Sequence, residues 1–210
     1  MSAFSTALLV TTAAGLATGI GGALVLFTRR PNPRLLSFGL AFAAGAMVYV
    51  SLAEILPKAT TAFSSLHGER HGLAWATAAF LSGLLLMALI DHLVPNPHQS
   101  LDKQAPDFAP DNAAYMRKVG LMTAIAITAH NLPEGMATFF ATLQNPVLGL
   151  PLALAIAVHN IPEGIAIAIP VYAATHSRAA ALGISIGAGL AEPLGALLGY
   201  GLLGGQLTAN

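Results

Sequence analysis

Cysteine is absent from the chain, and charged side chains are scarce. The absence of cysteine excludes a disulfide framework and a thiolate metal site. Asp, Glu, Lys and Arg make up only 9% of the residues, whereas a soluble domain carries roughly 25%, so the chain cannot cover the surface of a water-soluble globule. Its nine basic and nine acidic side chains cancel, which argues against a nucleic-acid partner because such proteins need a basic surface.

Apolar residues are abundant and make up 55% of the 210 residues of the chain. A helix crosses the hydrocarbon core of a bilayer with about 20 mostly apolar residues, and in this chain such residues run continuously instead of alternating as in barrel strands. The sequence therefore predicts an all-α fold, a polytopic membrane helix bundle that forms a single transmembrane domain over residues 1–210. Its six transmembrane helices are expected at roughly 5–27, 35–56, 73–94, 119–141, 149–171 and 180–203.

Lys and Arg residues are divided unequally between the two sides of the predicted bundle. By the positive-inside rule, the side with more of them faces the cytoplasm. One side holds Lys58 and Arg70, and the other holds seven residues: Arg29, Arg30, Arg34, Lys103, Arg117, Lys118 and Arg178. We therefore expect a multi-pass protein of the cell (inner) membrane with both termini outside the cytoplasm and a proline-rich cytoplasmic loop at about 95–118.

A shorter outer loop is predicted near 57–72, where His67 and His71 flank the sequence G-E-R. Imidazoles four residues apart share one face of a helix and can bind one metal, but Gly68 weakens a helix at this point. We therefore interpret the two histidines as parts of an exposed, solvated loop.

The fourth and fifth predicted helices carry ionisable residues near their centres, where such residues are costly and need a partner or a function. The string H-N-L-P-E-G begins at His130, and H-N-I-P-E-G begins 29 residues later at His159. Because consecutive helices run in opposite directions, the second copy is inverted, a pattern typical of a binding site near the membrane midplane. We expect helices four and five to form an inverted metal-binding pair.

Within each copy of the motif, the histidine and the glutamate are four residues apart and share one helical face. The two pairs are His130 with Glu134 and His159 with Glu163. Imidazole and carboxylate together suit Zn²⁺ and also Fe²⁺, Mn²⁺, Co²⁺ or Cd²⁺. A second site that shares the two glutamates is predicted from the remaining polar groups, Asn131, Asn160 and Glu192.

A packing role is the alternative for any single copy of the motif. An intramembrane histidine or glutamate can form a hydrogen bond across the bundle and stabilise the contact between two helices. Two inverted copies together with Glu192, which also lies beside a proline, favour metal binding over packing.

The paired motifs resemble helices four and five of the ZIP (Zrt/Irt-like) divalent metal transporters. The rest of the chain, including A-A-G-A-M-V-Y-V-S-L-A-E-I-L-P and I-D-H-L-V-P-N-P-H, is similar to the bacterial zinc-uptake branch of that family. The resemblance implies a binuclear site that carries divalent cations into the cytoplasm, with Glu134 and Glu163 bridging the two ions. It implies the ligands His130, Glu134, His159 and Glu163 at the first position, and Asn131, Asn160 and Glu192 at the second.

Further expectations come from the same resemblance. Met47 matches a methionine that some relatives use as an extra ligand, and the family has eight helices where six are predicted here, so the chain is expected to lack the last two. The expected function is zinc uptake with broad selectivity, with metal as cargo and not as cofactor. Metal ions, the lipid bilayer and a homodimer are the expected partners.

Two other functions remain open. An intramembrane metallohydrolase also binds metal with His and Glu, but it needs H-E-x-x-H on one helix, and this string does not occur in the chain. The other alternative is a metal-binding subunit that does not transport. The sequence therefore favours a transporter and not an enzyme.

Overall fold

A computed structural model of the chain describes residues 1–27, 33–93 and 113–207. Eight α-helices and one π-helical turn account for nearly all of these residues, and no strand occurs within the three ranges. The α-helices are α1 (Ala3–Phe27), α2 (Pro33–Val50), α3 (Leu56–His67), α4 (Glu69–Leu93), α5 (Ala113–Gln144), α6 (Pro146–Thr175), α7 (Arg178–Gly189) and α8 (Ala191–Leu207), and the π-helical turn is Ser51–Ile55. The all-α prediction is confirmed.

The segment near 57–72 is not the loop that the sequence predicts, because helix α3 occupies most of it. Its position outside the cytoplasm stays a prediction. The π-helical turn joins α2 to α3 without a gap, and the N–H of Leu56 bonds to the carbonyl of Ser51. Pro57 follows in the first turn of α3, where a missing N–H is tolerated. The chain turns at Gly68, whose φ of 82° favours glycine.

His67 and His71 accordingly lie at helix ends and not in a loop. His67 ends α3, His71 lies in the first turn of α4, and both are exposed, as expected of solvated side chains. Most of the predicted cytoplasmic loop at about 95–118 lies outside the described residues, and α5 already begins at Ala113.

The sixth predicted segment is interrupted between α7 and α8. Pro193 has no N–H, so the carbonyl four residues earlier, on Gly189, lacks a helical donor. At this point the N–H of Leu190 bonds to the carbonyls of Ile186 and Ala188. The interruption leaves Glu192 in the first turn of α8, where the helix dipole favours a carboxylate.

Three stretches of the described helices are long and apolar enough to cross a membrane by length and composition. They are Ala3–Val25, Pro146–Thr175 and Arg178–Leu202, the last of which includes the interruption between α7 and α8. The six crossings go beyond this observation and stay a prediction.

The chain divides into two compact units. The first contains α1, α2 as far as Ala43, and α5 to α8; the second begins at Ala44 and contains the rest of α2, the π-helical turn, α3 and α4. The single domain over residues 1–210 stays a prediction. All the predicted ligands on α5, α6 and α8 belong to the first unit.

Helices α5 and α6 of the first unit form an antiparallel pair with a one-residue connection. Asn145 makes this connection possible because its side-chain oxygen accepts the N–H of Val147 at 3.0 Å and caps α6. Near the connection Thr142 packs against Gly149, and at the far ends Gly120 packs against Val171. The midpoints of the two helices, where the motifs lie, therefore meet.

The glycines of the two motifs are the points at which other helices come close. A Cβ on Gly135 would clash with the backbone of Glu192 on α8, and a Cβ on Gly164 would clash with the backbone carbonyl of Thr18 on α1. Helix α1 also crosses α7 closely, where Gly15 lies against Gly189. These contacts bring α1 and α8 against the motif residues of α5 and α6.

Candidate metal centre

The seven predicted ligands are on three helices, and most of them are buried. Three lie on α5 (His130, Asn131, Glu134), three on α6 (His159, Asn160, Glu163) and one on α8 (Glu192). Asn131, Asn160 and Glu192 are 0% exposed, His159 is 2% exposed and Glu163 is 5% exposed. Burying such polar groups is costly unless partners or ions compensate for the lost water.

One carboxylate oxygen of Glu134 joins the two motif histidines. Its Oε1 atom lies 3.2 Å from Nε2 of His130 on the same helix and 3.1 Å from Nε2 of His159 on α6. The side chain of His130 is 33% exposed, that of Glu134 14% and that of His159 3%. The three side chains therefore lead from the surface of the first unit into its interior.

The two motif asparagines use their amide groups in the same way. The Nδ2 group of Asn131 donates to the carbonyl of Ala188 on α7 at 3.0 Å, and the Nδ2 group of Asn160 donates to the carbonyl of Ala14 on α1 at 2.9 Å. Asn160 also donates to Oε1 of Glu192 at 2.5 Å. These partners accept hydrogen bonds, so the Nδ2 atom of each asparagine faces the neighbouring helices. The Oδ1 atoms take no part in these bonds.

Several buried lone-pair atoms in this region have no hydrogen-bond partner within the described part of the chain. They are Oδ1 of Asn131 and Asn160, Oε2 of Glu134, Glu163 and Glu192, and Nδ1 of His159. Unpaired buried acceptors are costly and rare in folded proteins. Carboxylate and amide oxygens and imidazole nitrogens are all metal ligands, so a divalent cation fits this set of atoms.

Hydrogen bonds, and not a ready-made ligand shell, hold the cluster together. Across the described ranges, no group of three or more His, Cys, Asp or Glu side chains has the arrangement needed to hold a metal ion. The point on which both Nε2 atoms converge is occupied by Oε1 of Glu134, at 3.1–3.2 Å. A cation would have to replace these contacts with bonds to itself.

The sequence interpretation missed the contribution of α1. This helix supplies the Ala14 carbonyl to Asn160, and its Thr11 and Thr18 are 0% exposed. The available signal was weak, because α1 carries no ionisable side chain and its threonines look like ordinary residues of an apolar helix. Met47 lies on α2 in the second unit, and its role as an extra ligand stays a prediction.

Ionisable and amide side chains buried among apolar helices are typical of integral membrane proteins that bind or move ions. The model of the family described as "ZIP Zinc transporter" matches residues 2–115 and 95–209 of this chain. The chain therefore belongs to the ZIP family, whose members are integral membrane proteins.

Relatives named "Zinc transporter ZupT" are similar to the chain over nearly its whole length. The one from Stenotrophomonas maltophilia (strain K279a) is 62% identical over 202 residues, which are 96% of this chain and 75% of the relative. The one from Xanthomonas campestris pv. campestris is 63% identical over 203 residues, 97% of this chain and 75% of the relative. The one from Neisseria meningitidis serogroup C is 59% identical over 200 residues, 95% of this chain and 74% of the relative.

Proposed function

We propose that the chain transports divalent metal cations, with zinc as the principal cargo, into the cytoplasm. The observation that carries the proposal is the single carboxylate oxygen of Glu134, which two histidines from two helices share inside a member of the ZIP family. The relatives named as zinc transporters support transport over the metallohydrolase alternative.

Two cation positions are proposed, which differ in ligand chemistry. The first uses His130, Glu134, His159 and Glu163, a mixed nitrogen and oxygen set that suits zinc and the other borderline divalent ions. The second uses Asn131, Asn160 and Glu192, with Glu134 and Glu163 bridging. Oxygens of these side chains that have no hydrogen-bond partner among the described residues support the second position. Its all-oxygen ligands suit harder ions such as Mn²⁺, and the nitrogen ligands of the first position suit Fe²⁺, Co²⁺ and Cd²⁺. The two positions together therefore support broad selectivity.

The gradient of exposure supports an order of contact for the incoming ion. His130 is the most exposed of the three joined side chains, and His159 is the least. An ion that exchanges a water for His130 next meets Oε1 of Glu134 and then the imidazole of His159. For Nε2 of either histidine to bind the ion, any proton that it shares with Oε1 of Glu134 must leave or move to Nδ1, because a metal binds imidazole at a nitrogen without a proton.

Zinc uptake by proteoliposomes tests this function directly. Vesicles that contain the purified chain are expected to accumulate labelled zinc above empty vesicles, and unlabelled Cd²⁺ or Mn²⁺ outside is expected to compete. Zinc binding to the purified chain without any flux would contradict transport and would favour the non-transporting subunit instead.

The membrane arrangement is part of the proposal: six crossings of the inner membrane, with both termini outside the cytoplasm. The seven-to-two division of Lys and Arg supports it, as do the lengths of α1, α6 and the α7–α8 pair. A homodimer stays a prediction.

Single cysteines test this topology without interference, because the natural chain has none. Gln144→Cys, at the exposed end of α5, is expected to react with a membrane-impermeant maleimide on intact spheroplasts. Ala179→Cys, exposed in the first turn of α7, is expected to react only after the membrane is opened. The reverse pattern would invert the proposed orientation.

A further inference from the structure

Two buried threonines of α1, Thr11 and Thr18, differ from three other threonines in these helices. Thr12, Thr138 and Thr142 each donate the side-chain hydroxyl to the carbonyl one turn earlier, at 2.7–3.0 Å, as is usual for threonine within a helix. Thr11 and Thr18 are 0% exposed, and their hydroxyls have no partner among the described residues. Two buried hydroxyls that do not use the nearest acceptor need an explanation.

Both threonines lie on the face of α1 that includes Ala14, the residue whose carbonyl accepts the amide of Asn160. Thr11 is three residues before Ala14 and Thr18 is four residues after it, so all three share one helical face. The carbonyl of Ala14 accepts the amide of Asn160, and the same amide donates to Glu192. Along α1, the two threonines therefore lie on either side of Ala14, where Asn160 meets both α1 and Glu192.

Contacts between backbones support this placement. A Cβ on Gly189 would lie 3.1 Å from Cβ of Thr18, and a Cβ on Gly15 would lie 3.3 Å from Cβ of Glu192. Gly189 comes just before the interruption that positions Glu192 in α8. Helix α1 thus passes close to Glu192 at Gly15 and to the end of α7 at Thr18.

The bond between Asn160 and Ala14 explains why the hydroxyl of Thr18 has no partner among the described residues. In an α-helix the carbonyl of Ala14 also accepts the backbone N–H of Thr18, four residues later. A carbonyl oxygen has two lone pairs, and here the amide of Asn160 takes the second one. The acceptor that Thr18 would normally use is therefore occupied by a predicted metal ligand.

We propose that Thr11 and Thr18 form the α1 wall of the second cation position and hold water molecules that the divalent cation keeps when it binds there. This inference rests on the proposed transport function. Oε2 of Glu192 and Oδ1 of Asn160, which have no hydrogen-bond partner among the described residues, bind the cation from the side of α6 and α8. On the side of α1, a hydroxyl accepts a hydrogen bond from a metal-bound water, which is more acidic and a stronger donor than bulk water.

Valine replacements test this inference, because valine keeps the shape of threonine and removes only the hydroxyl. In Thr18→Val and Thr11→Val we expect zinc affinity to fall about three- to tenfold each, while the unfolding temperature in chelator stays the same or rises, since an unpaired buried hydroxyl is lost. Titration calorimetry and thermal unfolding of the purified full-length chain in detergent give the two readouts. Thr18→Ser restores the hydroxyl and is expected to restore affinity.

Thr12→Val is the matched control on the same helix. Its hydroxyl donates to Leu8 at 2.7 Å, so we expect this variant to unfold at a lower temperature and to keep its zinc affinity. The Thr11 and Thr18 variants are thus expected to lose affinity without losing stability, and the Thr12 variant to lose stability without losing affinity. Should a valine variant fail to fold, Thr18→Ala and Thr11→Ala provide the same comparison.

Unchanged zinc affinity in both Thr18→Val and Thr11→Val would overturn the inference and leave the threonines as packing residues. That result is distinct from a failure of the proposed function. An unmodified chain that takes up no zinc in proteoliposomes would overturn transport, whereas the threonine inference is decided by zinc affinity alone.

Discussion

Zinc uptake by proteoliposomes that contain the Glu134→Gln variant is expected to fall more than about 100-fold below that of the unmodified chain. Even a partner outside the ligand shell is worth about 10–100-fold in metal affinity, and Glu134 contacts two predicted ligands directly. Its Oε1 atom is shared by His130 and His159, and its buried Oε2 atom has no hydrogen-bond partner in the described part of the chain. Glutamine keeps the size of the side chain but removes the charge and one of the two lone-pair oxygens.

The measurement is the initial rate of labelled zinc uptake at equal amounts of reconstituted protein. Glu69→Gln is the control, because Glu69 is an exposed carboxylate in the first turn of α4, and it is expected to keep normal uptake. The double variant Glu134→Ala plus Glu163→Ala is expected to show only background uptake. Normal uptake in these Glu134 variants would contradict the proposed site.

Replacing Asn160 with Asp is expected to lower the unfolding temperature in chelator by about 6–12 °C. The substitution replaces the Nδ2 donor with an oxygen, which then faces the carbonyl of Ala14 and the carboxylate of Glu192. Losing a buried donor in this way costs about 3 kcal/mol, which corresponds to such a shift in a chain of about this length. Zinc is expected to restore part of the loss, because a bound cation offsets the repulsion between the carboxylates.

Asn145→Asp makes the same chemical change where it should have little effect. Asn145 caps α6 through its side-chain oxygen, which accepts the N–H of Val147 at 3.0 Å, and aspartate caps a helix equally well. Thermal unfolding with and without zinc compares the two variants. Equal unfolding temperatures for both would show that the amide donor of Asn160 does not hold α1 and α8 together.

Much of the fold could be predicted from local sequence. Continuous apolar runs predict helices because the backbone in an apolar environment must satisfy its own hydrogen bonds. The parts of the fold that were predicted wrongly depend on local features that the distribution of apolar residues does not indicate. The π-helical turn before Pro57 lets the chain continue into α3, and Pro193 interrupts the sixth segment just before Glu192.

The remaining features of the site depend on contacts between residues that are far apart in the chain. Asn160 bonds to Ala14 across 146 positions, and Asn131 bonds to Ala188 across 57. No periodicity within one segment can indicate which carbonyl an asparagine reaches on another helix. For the same reason, the unpaired hydroxyls of Thr11 and Thr18 could not be recognised before α1 was placed against α6 and α7.

The sequence by itself determined which residue types the candidate site contains: two copies of H-N-[LI]-P-E-G and a third acid at Glu192, all within apolar segments. These features are set by residue type and helical period, which are local properties of the chain. Only the tertiary structure decided that one oxygen of Glu134 joins both histidines and that α1 lies against the asparagine and Glu192. The physical reason is that helix packing depends on where glycines allow two backbones to approach, and this selects among contacts that the sequence pattern leaves equally possible.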